Sequence, residues 1–120
     1  MAKILAVDDS QTIRNIIQKI LEGVGHAVTT ADDGPDALEI ARKEQFDLVL
    51  SDINMPKMSG ISLLSKLRRL PEYEHTPILM VTTETGGYKK EKSKSSGASG
   101  WIQKPFTEET LLKAVKKIIG

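Results

Sequence analysis

Four apolar runs in this chain each end in residues that can handle a phosphoryl group. Ile4, Leu5, Ala6 and Val7 lead into Asp8 and Asp9, and Leu48, Val49, Leu50 and Ser51 lead into Asp52. Ile78, Leu79, Met80 and Val81 lead into Thr82 and Thr83, and Trp101, Ile102 and Gln103 lead into Lys104 and Pro105. If these runs are parallel strands of one sheet, three carboxylates, a hydroxyl and an ammonium meet at one edge. Hard carboxylate oxygens suit a divalent cation, and an ammonium beside a hydroxyl suits phosphoryl oxygens.

The segments between the runs supply the elements that must position these residues. Ile13, Ile16, Ile17, Ile20, Leu21 and Val24 recur at helical spacing, with Asp9 or Ser10 as the cap and Gly25 as the stop. Residues 27–31 read as a second strand. Asp33-Gly34-Pro35 then turns the chain, with Pro35 at a first helical position where its missing N–H costs nothing. Ala37, Leu38 and Ala41 form the stripe of a second helix, and Ile61, Leu63, Leu64 and Leu67 that of a third. Residues 71–77 read as a polar connection. Thr107 caps a last helix whose apolar face is Leu111, Leu112, Val115, Ile118 and Ile119, with Glu108 and Glu109 favoured by the dipole in its first turn. Residues 85–97 occupy the slot of the fourth helix with two glycines at the entry and almost no apolar stripe, so a helix there is expected to be marginal.

Strands alternating with helices at these spacings imply parallel pairing through right-handed crossovers. Five such units give an α/β fold, a flavodoxin-like doubly wound five-stranded parallel sheet of order 2-1-3-4-5 with five helices. Its ligand site lies beyond the carboxyl ends of strands one and three, where the winding direction reverses. Those ends carry Asp8, Asp9 and Asp52.

Composition narrows the function classes. The 120 residues form one domain, 1–120, large enough for a core, and contain no cysteine for a disulfide, thiolate site or nucleophile. No apolar stretch approaches the roughly 18 residues of a membrane span, and the N-terminal run is too short for a signal-peptide core, so a cytoplasmic protein is expected. The net charge of +1 hides an asymmetry: residues 1–60 carry 6 Lys/Arg against 10 Asp/Glu, and residues 61–120 carry 11 against 6. That split reads either as a solvated surface of uneven sign or as an acidic, cation-binding end with a basic docking face.

The motifs Val7-Asp8-Asp9-Ser10, residues 51–60 (SDINMPKMSG), Val81-Thr82-Thr83-Glu84 and Lys104-Pro105-Phe106, in order and correctly spaced, resemble a response-regulator receiver domain. The resemblance covers essentially the whole chain and is closest to single-domain chemotaxis regulators of the CheY type. It implies that Asp52 is the phosphoacceptor, taking a phosphoryl group from a phosphohistidine on a sensor histidine kinase. It implies Mg²⁺ as the cofactor, held by Asp9 directly, by Asp8 through water, by Asp52 and by the backbone carbonyl of Asn54. Lys104 is then the residue that neutralises a phosphoryl oxygen and Thr82 the one that hydrogen-bonds another, with a cis peptide at Lys104-Pro105. Thr82 and Trp101 take the positions of a switch pair. Asn54, Thr83 and Glu84 take positions that influence phosphoryl lifetime and the use of a phosphatase.

The resemblance also implies two-component signalling without turnover of outside substrates. The chain catalyses only its own phosphoryl uptake and loss. Because it ends directly after the fifth helix, its output is expected to be a protein contact rather than nucleic acid or membrane. The expected partner is a flagellar motor switch protein; the alternative is a relay role, passing the group to a histidine phosphotransfer protein. A dehalogenase-type phosphatase would need an acid/base two positions after Asp52, where Asn54 stands. A flavin carrier would need a phosphate-binding loop where Asp8 and Asp9 would repel the phosphate. His26 and His75 are isolated and read as solvated.

Overall fold

The computed structural model describes residues 1–83 and 87–120. Its strands are β1 Lys3–Val7, β2 Ala27–Ala31, β3 Leu48–Ser51, β4 Ile78–Thr82 and β5 Gly100–Gln103. The helices between and after them are α1 Gln11–Glu22, α2 Gly34–Lys43, α3 Gly60–Arg68, α4 Gly87–Ser95 and α5 Glu108–Ile119. All strand pairs are parallel and the sheet order is β2-β1-β3-β4-β5, as the alternation predicts.

Alternate residues of each strand feed two separate apolar layers, the period-2 consequence of the pleat. Ile4, Ala6, Leu48, Leu50, Leu79 and Val81 pack with Ile17 and Leu21 of α1 and Leu111 and Val115 of α5. Leu5, Val7, Val49, Ile78 and Met80 pack on the other face with Ala37, Leu38 and Ala41 of α2 and Leu63, Leu64 and Leu67 of α3. Burial on both faces is why the central strands read as unbroken apolar runs.

Side-chain caps set the helix starts. Ser10, Asp33, Ser59 and Thr107 each accept from the backbone N–H three residues on. The end of α1 differs from expectation: the helix stops at Glu22, the cap is Gly23, and Gly25 instead takes φ 96° in the turn, where His26 N–H closes on the Leu21 carbonyl. His26 is not simply solvated; its Nδ1 accepts from the Ala2 N–H at 3.0 Å.

The connection before β4 is also more structured than its polar composition implies. Pro71–Tyr73 forms one 3₁₀ turn that buries Tyr73. The phenol donates to the carbonyls of Ala41 and Glu44 at 2.9 and 2.6 Å and accepts from Phe46 N–H at 3.3 Å, tying the end of α2 to the entry of β3. Burial pushes the Tyr73 hydroxyl pKa up.

Residues 87–95 are helical despite the weak stripe, and polar contacts from Arg68 and Lys89 meet the two ends of this helix. Ser93 is the buried residue among the described side chains of α4, and its hydroxyl donates to the Lys89 carbonyl. Past the helix end Gly97 adopts φ 108° while Ala98 N–H reaches the Ser93 carbonyl, a left-handed closure. Arg68, at the end of α3, clamps this closure. Its Nε and Nη2 donate to the Gly97 carbonyl at 3.2 and 2.7 Å, and Nη1 to the carbonyls of Tyr73 and Thr76 at 2.7 and 2.6 Å. Burial among these groups pulls the guanidinium pKa down, so backbone dipoles carry the charge.

Arg68→Met keeps the aliphatic stem and removes the donors, stranding several carbonyls. It is predicted to cost about 2–3 kcal/mol in denaturant unfolding and to speed amide exchange selectively over residues 92–98. Unchanged exchange there would show that α4 is held by something else.

Candidate functional site

The parallel ladder continues one residue past β1, β3 and β5, and this sets the site residues side by side. Asp8 N–H donates to the Ala31 carbonyl at 3.1 Å, Asp52 N–H to the Val7 carbonyl at 3.0 Å, and Lys104 N–H to the Thr82 carbonyl at 2.9 Å. Each residue therefore sits at the carboxyl edge in register with its neighbour. Asp8, Asp9 and Asp52 each present a carboxylate oxygen within 4.8 Å of the others. Asp8 and Asp52 are buried and Asp9 is exposed. Such a cluster of hard oxygens, open on one side, can hold a metal ion that keeps some of its waters.

Lys104 reaches into this cluster. Its ammonium lies 2.5 Å from Asp8 Oδ2 and 3.3 Å from Asp52 Oδ2, with its side chain largely buried. The Lys104-Pro105 peptide is cis. Burial pushes the Asp8 carboxyl up in pKa; the hydrogen bond and charge of Lys104 and the Ser10 N–H pull it back, while the charge of Asp52 adds to the rise. Asp8 Oδ1 accepts from Ser10 N–H at 2.9 Å, and Arg14 holds the Asp8 carbonyl at 2.7 Å. Asp52 Oδ1 accepts from Ile53 N–H at 2.7 Å, leaving Oδ2 on the Lys104 side.

Thr82 is fully buried at the end of β4. Trp101 is half-buried on β5, paired in register with Met80, and packs into the layer under α2 and α3. By the alternation of side chains, Thr82 and Trp101 are carried on the same face of the sheet. A groove of about 380 Å³ lies beside the indole, lined by Lys90, Ser93, Lys94, Ala98 and Ser99. Asn54 is exposed at the rim, and Thr83 is exposed just past the end of β4. Glu84, expected beside the site, lies outside the described residues.

Three residues of the surroundings were not singled out from sequence. Gly60 opens α3, and a Cβ there would lie 1.8 Å from the Asp52 carbonyl oxygen and 2.8 Å from Ile53 Cα. The Gly60 N–H also donates to the Ile53 carbonyl at 2.7 Å, so α3 starts in backbone contact with the Asp52 loop. A glycine directly after a serine cap, where alanine makes a better helix, is the signal for it. Lys57 takes φ 69° in the same loop while Met58 N–H closes on the Pro56 carbonyl at 2.7 Å, a tight turn at a strained position. Its ammonium pairs with Asp33 at 3.1 Å, fastening the loop to the cap of α2. Lys89 reaches from α4 to donate to Asn54 Oδ1 at 2.8 Å. Neither lysine contact has a sequence signature, because each depends on two segments distant in sequence meeting.

The chain matches the family described as the response regulator receiver domain over residues 4–116. Chemotaxis protein CheY-3 of Vibrio cholerae is 43% identical over 117 residues, covering 97% of this chain and 90% of that protein. Protein PilH of Pseudomonas aeruginosa is 39% identical over 120 residues, covering 100% of this chain and 99% of that protein. The structure of Vibrio cholerae chemotaxis protein CheY4 is similar with a TM-score of 0.96 at 48% identity, covering 98% of each chain.

Gly60→Ala drives a methyl into the Asp52 carbonyl and is predicted to destabilise the fold by about 2–3 kcal/mol while weakening divalent-cation binding. Chemical denaturation and a cation titration followed through Trp101 check both. Wild-type stability in the variant would mean that the approach of α3 to this loop is looser than described.

Proposed function

The chain belongs to the response-regulator receiver family, and on that footing we propose that Asp52 is its phosphoacceptor and that residues 1–120 act as one receiver domain. A protein of this family is a signalling component of a two-component system, not a classical enzyme. The observation that carries the proposal is the bridge of Lys104 between Asp8 and Asp52 above three clustered carboxylates.

In the proposed reaction a carboxylate oxygen of Asp52 bonds to the phosphorus of a phosphohistidine on a sensor histidine kinase. The P–N bond breaks, and the imidazole leaves with the electron pair and takes up a proton. Transfers of this kind depend mainly on positioning and charge. The Ile53 N–H orients the Asp52 carboxylate through Oδ1. Lys104, already at the Oδ2 side, stabilises negative charge on a phosphoryl oxygen, and the Thr82 hydroxyl donates to another. Asp8, Asp9, Asp52 and the Asn54 carbonyl would hold Mg²⁺, which offsets repulsion between the carboxylate and the phosphoryl group. The same charge logic explains why buried Asp8 needs cations around it.

Output runs through Trp101 and the surface around it. As Thr82 turns to the phosphoryl group, the indole rotates on the shared face of the sheet and reshapes the α4–β5 groove. Exposed Lys90, Lys92 and Lys94 of α4 and Lys113, Lys116 and Lys117 of α5 make this region basic, so a partner presenting an acidic segment fits it. Similarity to chemotaxis proteins favours a flagellar motor switch protein as that partner. The alternative is a relay role, in which the chain passes the phosphoryl group to a histidine phosphotransfer protein. Asn54, Thr83 and Glu84 would tune lifetime and phosphatase access. No helix among the described residues is long and apolar enough to cross a membrane.

Adding Mg²⁺ and acetyl phosphate while following Trp101 fluorescence tests the reading, with Asp52→Asn alongside. The parent is predicted to respond to acetyl phosphate in a Mg²⁺-dependent way and the variant not to respond. A silent parent, or an equal response in the variant, would remove Asp52 from the phosphoacceptor role.

A further inference from the structure

Helix α4 is joined to the body by polar contacts at both ends. Arg68 grips the Gly97 carbonyl past its C-terminal end, and Ser93 turns its hydroxyl back onto the helix. In its N-terminal turn, the Lys89 ammonium donates to Asn54 Oδ1 at 2.8 Å, across 35 positions of sequence. Lys90, Lys92 and Lys94 are exposed, whereas Lys89 is half-buried, directed at the loop that follows β3.

Where Lys89 reaches matters. Asn54 lies two residues beyond Asp52; Asp52 and Ile53 are buried and Asn54 stands at the rim of the site. The amide oxygen of Asn54 is a neutral acceptor. A phosphoryl group on Asp52 would place up to two negative charges nearby and attract an ammonium within reach. Lysine is suited to such an exchange because its ammonium is a point charge on a flexible four-carbon stem.

Resting on the reading of Asp52 as phosphoacceptor, we propose that Lys89 is a second cation of the site, a positioning residue that docks the first turn of α4 on Asn54 and is drawn toward the phosphoryl group when Asp52 carries one. Phosphorylation then moves α4 through a charge contact as well as through Thr82 and Trp101. A helix held by an apolar stripe would resist that pull by the cost of exposing the stripe. One held by directed contacts from Arg68 and Lys89 can follow the ammonium by exchanging those contacts.

The test uses the full chain with Mg²⁺ and beryllium fluoride as the phosphoryl mimic, read by Trp101 fluorescence. Lys89→Ala and Lys89→Gln are predicted to weaken binding of the mimic by roughly twofold to fivefold and to flatten its dependence on salt. Lys89→Arg, which keeps the charge, should retain most of the parent's affinity for the mimic and its dependence on salt. Parent-like binding in both neutral variants would overturn the proposal, and so would Lys89→Arg binding as weakly as Lys89→Ala, since a steric role would then suffice. If the parent itself does not bind the mimic in Mg²⁺, the phosphoacceptor reading fails and the proposal falls with it.

Discussion

The placement of Lys104 between Asp8 and Asp52 is the interaction on which the rest of the site depends. It joins residues 96 positions apart, from the first strand end to the last. Buried carboxylates repel one another and lose hydration, and burial accordingly raises the Asp8 pKa. The ammonium compensates both effects and remains beside the oxygen of Asp52 where charge would develop. That arrangement requires β1, β3 and β5 to end at the same edge. Parallel pairing in the order 2-1-3-4-5 meets the requirement, with ladder bonds continuing through Asp8, Asp52 and Lys104 themselves.

Around this centre the molecule is built in two styles. The β1–β3 half, with α1, α2 and α3, is fixed by apolar layers and by backbone contacts that leave no slack, as at Gly60 against Asp52. The α4 side is met by directed polar contacts from Arg68 and Lys89. Apolar layers are close-packed and resist gradual deformation. Polar contacts can exchange partners when a new charge appears. A rigid cradle for the chemistry and a responsive helix beside it are what a charge-operated switch needs.

Much of this was legible in the sequence because it rests on local rules. Apolar runs ending at Asp8, Asp52, Thr82 and Lys104 marked both the strands and the edge, and the helix caps at Ser10, Asp33, Ser59 and Thr107 follow residue type and position. What escaped depends on surfaces that meet only in the fold. Tyr73 lay in a stretch of polar residues, yet its hydroxyl serves backbone groups about 30 positions away. Arg68 and Lys89 carry no local signal, because each acts on a segment about 30 positions away. Gly25 was placed as the stop of α1 because glycine marks ends; the helix yields at Gly23 and Gly25 supplies the left-handed turn two residues later.

Charge compensation by Lys104 can be measured directly through the Mg²⁺ affinity of Lys104→Met, which removes the ammonium while leaving all three carboxylates. If Lys104 offsets the charge of Asp8 and Asp52, the vacated site is more negative and binds Mg²⁺ tighter, by about tenfold for the loss of one nearby unit charge. An affinity equal to or weaker than the parent's, in a variant that unfolds cooperatively, would contradict the account.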